Sequence, residues 1–324
     1  MLHVYRLENP IPIPALKTLH TYLIPCGDRT LVIDPGMTVE SASTVLEKIR
    51  EEGLPGTITV LLTHFHVDHV AATPYLDPEE VYMHEADRNH VIRMVDEWPR
   101  ALESMEDLFL KAGMPHGEAS LLGKKHPAMS RIDVFRKLRN MGPRQAPPKL
   151  TVGSCELEII HTPGHTPGSI SIHIGGGRWI VGDTVLRDIT PNIALINWET
   201  DPLGDYLGSL QRLLRVEPRI MYPGHRSVIG DPEERIKELI LHHERRLREI
   251  IDVLSSSPVQ INAYRIASRM TWDVAYSDWR NFPLSQKYFA VAEALSHLKY
   301  LVVRGLAGLS TRNGVYYFKS LHSA

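Results

Sequence analysis

The chain has 324 residues, a formal net charge of −2 and 43% hydrophobic residues, a composition typical of soluble globular proteins. The near-neutral charge does not indicate a polyelectrolyte partner, and the length suffices for one large domain and a small one. No apolar run reaches transmembrane length, and no secretory signal opens the chain, so we expect a cytoplasmic protein without a membrane partner. The two cysteines, Cys26 and Cys155, do not make a disulfide framework and favour a reducing compartment.

The first quarter of the chain alternates between predicted strands and one helix. Apolar and β-branched runs at 20–24 and 30–33 flank a glycine-containing turn and predict a hairpin. Apolar residues at helical spacing predict a helix over 41–51, with Ser41 as its N-cap. The run 57–62 predicts a buried strand, so the order is strands, helix, strand.

A dense polar cluster follows that buried strand. His64, His66, Asp68 and His69 place three imidazoles and one carboxylate within six residues. Neutral ring nitrogens together with a carboxylate oxygen are the donors that first-row divalent metals prefer. One or two histidines could serve as core groups or helix caps, but a cluster of this density indicates a metal site at the end of a strand.

Three glycine-containing turns downstream offer further metal ligands. Each follows a predicted strand, and the candidate residues are His165, Asp183 and His225. His161 also precedes a Thr-Pro-Gly sequence, but His165 is preferred because Gly164 lets the backbone turn sharply and present the ring.

The ordered set His64-x-His66-x-Asp68-His69, Gly164-His165, Gly182-Asp183 and Gly224-His225 resembles the signature of the metallo-β-lactamase fold superfamily. The segment 31–36, Leu-Val-Ile-Asp-Pro-Gly, resembles the strand and turn that open the family pattern. One departure is the sequence Val-Ala-Ala at 70–72, where the family often has Gly-Gly, which alters a turn or helix start but no ligand. The resemblance covers residues 20–230 and implies an α/β fold, the αββα sandwich.

The resemblance also implies two divalent metal ions and their ligands. Zinc is the expected metal, although these ligands also admit iron or manganese. The first ion would be held by His64, His66 and His165. The second ion would be held by Asp68, His69 and His225, and Asp183 would bridge the two ions.

The catalytic roles implied by the resemblance fall to two of these aspartates. Two ions about 3.5–4 Å apart would hold a shared water as a nucleophilic hydroxide near neutral pH. Asp183 would bridge the ions, and Asp68 would orient the hydroxide or move its proton. Asp34 would lie near the metals and hold the N–H of a ligand histidine, the alternative being a turn-capping aspartate.

Residues 84–149, here called the lid segment, separate His69 from His165 by more chain than one strand-helix-strand unit needs. Helical spacing predicts helices over 85–98, 102–112 and 132–140. Family insertions at this point commonly cover the metal cleft, which suggests a helical lid. The window 124–144 holds seven Lys or Arg residues against one Asp, a balance of 7 − 1 = +6. Such a charge favours an anionic small-molecule substrate, while a solvated helix face or an oligomer contact remains an equal alternative.

The C-terminal part begins after a break at 255–258, Ser-Ser-Ser-Pro, which predicts a boundary between a catalytic domain, 1–254, and a small domain, 255–324. Helices over 261–269 and 286–304 and a hairpin over 309–319 give the order of a winged helix and resemble a domain found on some related hydrolases, including a β-lactamase-like endoribonuclease. Nucleic-acid binding is open, but a packing or homodimerisation role is favoured over it. On the preceding helix, His242 and His243 are predicted to be surface or interface groups.

The predicted function is that of a metal-dependent hydrolase that cleaves an ester-like bond with a metal-bridging hydroxide. The candidate bonds are thioester, lactone, carboxylic ester and phosphodiester, in an anionic small molecule. Two alternatives remain on the same fold. A persulfide dioxygenase would use a single iron held by a subset of these ligands, and an endoribonuclease would bind RNA through the C-terminal domain.

Overall fold

A computed structural model describes residues 2–13, 16–126 and 129–321 of the chain. The chain forms two compact units. The first unit comprises Met1–Asp96, Arg131–Pro191 and Gly208–Lys237, and the second comprises Glu97–Ser130, Asn192–Leu207 and Glu238–Ala324. Residues 1, 14–15, 127–128 and 322–324, which the predicted domain and lid ranges include, lie outside the described residues. No helix in the described part of the chain is both long and apolar enough to cross a bilayer.

The first unit contains two β-sheets. The six-stranded sheet has the order β1-β2-β3-β4-β5-β6, and its strands are β1 Tyr5–Pro10, β2 Thr18–Cys26, β3 Arg29–Ile33, β4 Thr57–Leu61, β5 Glu80–Met83 and β6 Arg144–Gln145. The five-stranded sheet has the order β11-β10-β9-β8-β7, and its strands are β7 Lys149–Val152, β8 Cys155–His161, β9 Ile170–His173, β10 Arg178–Gly182 and β11 Ile220–Pro223. The strands predicted over 20–24, 30–33 and 57–62 correspond to β2, β3 and β4, with ends that differ by at most two residues, whereas β5 and β6 were not predicted.

Parallel strand pairs in both sheets decide where the site forms. Strands β3 and β4 are parallel with Ile33 opposite Leu61, so the residues that follow both strands emerge at the same edge of the sheet. Strands β10 and β11 are also parallel, with Gly182 opposite Pro223. The carboxyl ends of these four strands carry Asp34, the 63–69 loop, Asp183 and the Gly-His turn at 224–225, as is usual for sites in α/β proteins.

The core of the first unit lies between its two sheets. One cluster of buried apolar side chains combines residues of β2 and β3, such as Ile24 and Leu31, with residues of β8 and β9, such as Leu157 and Ile172. Each of these side chains stabilises the fold by about 1.5–3 kcal/mol when it is buried from water. The packing of the two sheets and their helices confirms the predicted sandwich.

Among the described residues, four α-helices belong wholly to the first unit, namely α1 Val39–Glu51, α2 Val67–Val70, α3 Glu85–Asp96 and α7 Ile132–Asn140. The prediction of Ser41 as the cap of α1 is wrong, because the helix begins earlier and Thr38 accepts a hydrogen bond from the backbone N–H of Ser41 (3.2 Å). Thr38 has extended backbone angles, which an N-cap requires, whereas Ser41 lies inside the helix.

The two cysteines form a disulfide, which contradicts the expectation of unbonded thiols. Cys26 ends β2 and Cys155 begins β8, and their Cα atoms lie 5.1 Å apart although 129 residues separate them in the chain. Two β-turns meet here, since the backbone N–H of Ser154 donates to the carbonyl of Cys26 (3.1 Å). The contact depends on how the two sheets pack, so residue counts and spacing in the sequence could not reveal it.

The second unit joins part of the lid segment to the C-terminal region. Its helices are α4 Trp98–Lys111, α5 His116–Ala119, α6 Leu122–Lys125, α10 Ala263–Ala267 and α11 Leu284–Val303, and its two-stranded sheet consists of β12 Ala307–Arg312 and β13 Val315–Ser320. Helices α8 Pro202–Arg215 and α9 Pro232–Ser256 contribute residues to both units. Helix, helix and hairpin follow in the predicted order, while the winged-helix assignment and the boundary after residue 254 stay predictions.

A partly buried ion pair attaches the 97–130 part of the lid segment to helix α11. The Lys287 ammonium, only 3% exposed as a residue, donates to the Glu118 carboxylate at 2.7 Å. Tyr264 donates to the same carboxylate at 2.9 Å, and Tyr288 donates to the Glu118 carbonyl at 2.7 Å. The Glu118 side chain is 27% exposed, so the pair is only partly desolvated, and the three hydrogen bonds together specify how this part of the second unit packs.

Candidate metal centre

All seven predicted ligands converge at the carboxyl-end edges of the two sheets. The three histidines His64, His66 and His165 form one group, in which a ligand atom from each lies within 4.8 Å of the others. Their ring centroids are 4.6–4.9 Å apart, close enough for one ion to accept all three nitrogens. This group joins a loop that follows β4 to a turn that follows β8.

Asp68, His69 and His225 form a second group with the same 4.8 Å spacing. The Asp68 carboxylate lies 3.2 Å from Nε2 of His225 and 3.9 Å from Nε2 of His69. Helix α2 begins just before Asp68, which places this carboxylate and His69 in the same short turn. One carboxylate and two imidazoles are a suitable ligand set for a second ion.

Asp183 lies between the two groups. Its Oδ2 is 3.7 Å from Nε2 of His165 and 3.5 Å from Nε2 of His225, while its Oδ1 is 3.5 Å from Nε2 of His69. The carboxylate therefore faces histidines of both groups, which is the position that a bridging ligand requires.

The hydrogen-bonding state of these atoms tests whether a metal fits. Among the described residues, Nε2 of His64 is buried and has no hydrogen-bond partner. Nε2 of His69 and Nε2 of His225 face the carboxylates of Asp68 and Asp183 at 3.2–3.9 Å. Buried polar atoms are nearly always paired, so nitrogens and carboxylate oxygens that face one another in this way suit a shared cation. The donor set fits divalent cations, because each atom can offer a lone pair and the carboxylates of Asp34, Asp68 and Asp183 offset most of the positive charge of two such ions.

Asp34 and Thr63 fix the orientation of two ligand rings. The buried Asp34 carboxylate accepts from the backbone N–H of Thr63 (2.8 Å), the Thr63 hydroxyl (2.6 Å) and Nδ1 of His69 (2.8 Å). Since the Thr63 proton points to Asp34, the Thr63 oxygen accepts from Nδ1 of His64 at 3.0 Å. Both histidines therefore carry a proton on Nδ1, which leaves Nε2 as the nitrogen that faces the centre and can bind a cation.

Asp34 also lies within ligand distance of His64 and His69, so it could be mistaken for a ligand itself. Its two oxygens are already occupied by the three donors, which makes it an orienting group, as predicted. Its backbone has φ +53°, a left-handed conformation that is uncommon outside glycine and asparagine and that aims the carboxylate at the 63–69 loop.

The roles of Thr63 and of the Thr18 carbonyl, which accepts from Nδ1 of His225 at 2.6 Å, were missed in the sequence.

Two glycines allow the strands to approach the ligands. A Cβ at Gly224 would lie 2.5 Å from Oδ1 of Asp183 and 2.6 Å from Cε1 of His69. Gly182 has φ +47°, and a Cβ there would lie 2.5 Å from the Thr63 hydroxyl. The glycines that precede Asp183 and His225 thus serve close packing of the site as well as chain reversal.

Burial sets the protonation of the three-histidine group. It lowers the pKa of His64 well below the usual range and the pKa of His66 to about 3, with neighbouring histidines adding to the effect. Both rings are therefore neutral at pH 7 and can donate lone pairs to a cation.

Carboxylates dominate the second group. Burial acts to lower the pKa of His69 and of His225, but the Asp183 carboxylate, with Asp34 on His69 and Asp68 on His225, outweighs burial and raises both. Conversely, burial acts to raise the pKa of Asp68, but His69 and His225 lower it to about 2. Without metal the second group thus holds protons on histidines, and a cation would have to displace them.

Two other predicted histidine placements have clear outcomes. His161 is half-buried, stacks on His84 with ring centroids 3.8 Å apart and donates from Nε2 to the Pro167 carbonyl, outside both ligand groups. The prediction of a surface or interface position is wrong for His243, which is fully buried and donates from Nδ1 to Nε2 of His297 (3.1 Å). His243 lies on the same buried stripe of α9 as Ile236, Leu239 and Ile250, so its position in the helical pattern could have indicated burial.

Several basic residues of the window 124–144 have acidic partners. Arg139 pairs with Asp96 at 2.9 Å, and Arg144 pairs with Glu80. Lys137 donates to the Tyr75 hydroxyl at 3.3 Å. The two ion pairs lower the charge that remains for a substrate, whereas the Tyr75 hydroxyl is neutral and leaves the charge of Lys137 uncompensated. The anionic substrate stays a prediction.

Comparison with known proteins gives a consistent picture. Residues 20–225 match the family model described as the metallo-beta-lactamase superfamily. The probable metallo-hydrolase MJ0888 of Methanocaldococcus jannaschii is 30% identical over 65% of this chain and 89% of its own length. The acyl-coenzyme A thioesterase MBLAC2 of Gallus gallus is 25% identical over 64% of this chain and 73% of its own. A crystal structure of a metallo-beta-lactamase family protein from Thermus thermophilus, TTHA1429, superposes with a TM-score of 0.76, 28% identity and 98% coverage of both chains.

Proposed function

The chain belongs to the metallo-beta-lactamase superfamily, and from this premise we propose that it is a dinuclear metal-dependent hydrolase that acts on thioesters. The observation that carries the proposal is the pair of ligand groups with Asp183 facing histidines of both. When bound, two divalent cations, with zinc expected, would supply a water that ionises near neutral pH and a Lewis acid for the attacked carbonyl oxygen.

The two ligand groups divide the work of holding these cations. His64, His66 and His165 would hold the first as neutral donors, and Asp68, His69 and His225 would hold the second, with Asp183 shared. His66 and His165 are of intermediate burial as residues, and the His165 side chain is 8% exposed, whereas the side chains of His69 and His225 are 0% exposed. A substrate carbonyl would therefore approach from the side of His66 and His165.

Asp68 is the group that would take the proton of the attacking water. Its pKa of about 2, set by His69 and His225 against burial, keeps it ionised at neutral pH. Its side chain is 12% exposed, while those of its two histidine neighbours are 0% exposed, so it borders the accessible side of the site. A positioned carboxylate of this kind contributes about 10²–10⁴-fold to a rate as a general base.

The leaving group decides between the candidate bonds. Asp68 and Asp183 both have a lowered pKa, so the proton that either could donate to a leaving group at neutral pH is the one that Asp68 takes from the attacking water. A thiol with a pKa of about 8.5 can depart as a thiolate without a proton, whereas an alkoxide or an amine needs one. This chemistry, and the thioesterase activity in the name of the Gallus gallus relative, support a thioester.

The test compares an acyl-coenzyme A thioester with its oxygen-ester analogue, a lactone and a phosphodiester. We expect chelator-sensitive hydrolysis, restored by zinc, with kcat/KM for the thioester at least about tenfold above the other bonds. Asp68→Asn should lower kcat by about 10²-fold or more, whereas Glu51→Gln, an exposed residue of α1, should have no effect. Faster cleavage of the phosphodiester would favour the endoribonuclease alternative, and the absence of any chelator-sensitive hydrolysis would overturn the proposal.

A further inference from the structure

Asp87 is a buried carboxylate close to the metal centre that no sequence pattern singled out. It lies in the first turn of α3 and is fully buried. Its Oδ2 accepts from the backbone N–H of Phe65 (3.0 Å) and from the Thr166 hydroxyl (2.8 Å), and its Oδ1 accepts from the backbone N–H of Gly168 (2.6 Å). One side chain thus holds two loops that are about 100 residues apart in the chain.

The positions of the three donors relative to the ligands are informative. Phe65 stands between His64 and His66, and Thr166 directly follows His165. Every ligand of the three-histidine group is therefore adjacent in sequence to a residue that donates to Asp87. The orientation of those three rings depends on the backbone that Asp87 ties together.

The second ligand group is held by other atoms. Nδ1 of His69 donates to Asp34, and Nδ1 of His225 donates to the Thr18 carbonyl. None of the three hydrogen bonds that Asp87 accepts comes from Asp68, His69 or His225. A change at Asp87 should therefore affect the two groups unequally.

Gly168 packs closely against Asp87, so a larger residue at position 168 would displace the carboxylate. A Cβ at Gly168 would lie 2.5 Å from the backbone nitrogen of Asp87 and 2.6 Å from its Cγ. The Thr166 hydroxyl also contacts the Ser169 hydroxyl at 2.8 Å, which extends the hydrogen bonds along the turn. Burial raises the pKa of Asp87 to about 7 against the opposite effect of its three donors, so this carboxyl is costly to keep in the interior.

We propose that Asp87 is a positioning residue of the metal centre, which clamps the 64–66 loop to the 165–168 turn and so fixes how the three histidines meet the first metal ion. The inference rests on the proposed dinuclear function. Asp87 would position only the ligands of the first ion, whereas Asp34 orients one ligand histidine of each ion.

The experiment measures zinc binding to the metal-free full-length chain by competition with a chromogenic chelator. Reference variants His165→Ala and His225→Ala assign the two binding steps to the two ligand groups. In Asp87→Ala we expect affinity at the three-histidine group to fall about 10–100-fold, and affinity at the second group to change by less than about threefold. Asp87→Asn should show the same selective loss, because its amide would point an N–H at one of the backbone N–H donors.

Two further variants separate positioning from general destabilisation. Thr166→Val keeps the size of the side chain and removes one donor, so it should weaken the same group by a smaller factor. Ile49→Ala removes buried side-chain volume in α1 and should lower stability while leaving both zinc affinities unchanged. Equal losses at both groups in Asp87→Ala, or wild-type zinc affinities in Asp87→Asn, would overturn the inference. A wild-type chain that binds fewer than two zinc ions would instead contradict the proposed function.

Discussion

The substitution Asp34→Asn tests how the ligand histidines are held in their metal-binding tautomer. Asparagine matches aspartate in size and tolerates the left-handed backbone at φ +53°, so the change alters hydrogen bonding and charge without removing volume. The carboxylate accepts three hydrogen bonds, one at Oδ1 from Thr63 and two at Oδ2 from Thr63 and His69. An amide can accept at only one of these two positions.

Each orientation of the amide carries a cost. With its nitrogen at the Oδ2 position, the amide would donate to Nδ1 of His69 and to the Thr63 oxygen, which moves the protons of His69 and His64 to Nε2 and blocks both lone pairs. With its nitrogen at the Oδ1 position, it would face the backbone N–H of Thr63, and a buried unpaired donor costs about 1–3 kcal/mol. Both routes predict a loss of about 10–100-fold in metal affinity, or about 1.4–2.7 kcal/mol.

Metal affinity at both ligand groups is the quantity to measure, because Asp34 orients one histidine of each. Chelator competition on metal-free protein would give the two affinities, and thermal unfolding of the same samples would report the fold. Asp77→Asn is the matched control, since Asp77 also has a left-handed backbone, φ +47°, but is exposed and lies outside the described ligand groups. Affinities within about threefold of the wild type in Asp34→Asn, or a loss confined to one group, would refute the reasoning.

Three other predictions address packing, protonation and the disulfide. Gly224→Ala should lower turnover by about 100-fold with the fold retained by circular dichroism, because its Cβ would lie 2.6 Å from Cε1 of His69; unchanged turnover would contradict the packing argument. Zinc binding at pH 7 should release protons and should weaken as the pH falls, because carboxylates raise the pKa of His69 and of His225 and zinc must displace the protons on these rings. Calorimetry in buffers of different ionisation enthalpy would measure the proton release, and zinc binding without proton release would contradict the prediction. Changing Cys26 and Cys155 together to serine should lower the free energy of unfolding, measured in urea, by about 2–5 kcal/mol, because the disulfide closes a long loop. Zinc affinity should stay the same, and a loss of zinc binding would show that the disulfide supports the site.

The candidate ligands were easier to find in the sequence than the residues that support them. The seven candidates lie in short motifs at the ends of strands, and the family resemblance carried by those motifs predicted that His165 and Asp183 lie close together, as they do. Asp87 could not be found in the same way, because its role depends on Phe65 and Gly168, which are 22 and 81 residues away in the chain. Such a contact follows from the docking of α3 against two loops, which no local pattern encodes.

The disulfide and the buried histidine were mispredicted for different reasons. Cys26 and Cys155 meet because two sheets pack face to face, and a count of two cysteines holds no information on that packing. His243 lies on a helix whose polar residues suggested a solvent face, although its place on the buried stripe could have indicated the interior position where it donates to His297. Similarly, Thr63 directly precedes His64, so a search for hydroxyl groups beside the ligands could have found its role.

The most direct test of the central claim is the metal content per chain in protein purified without added metal, for the wild type and for Asp183→Ala. The account predicts two zinc ions in the wild type, because both ligand groups are complete, and about one in the variant, which loses the carboxylate that faces both. Thioesterase turnover should disappear with the lost ion. One iron per chain, with oxygen consumed in the presence of a persulfide, would contradict the dinuclear hydrolase and indicate a dioxygenase.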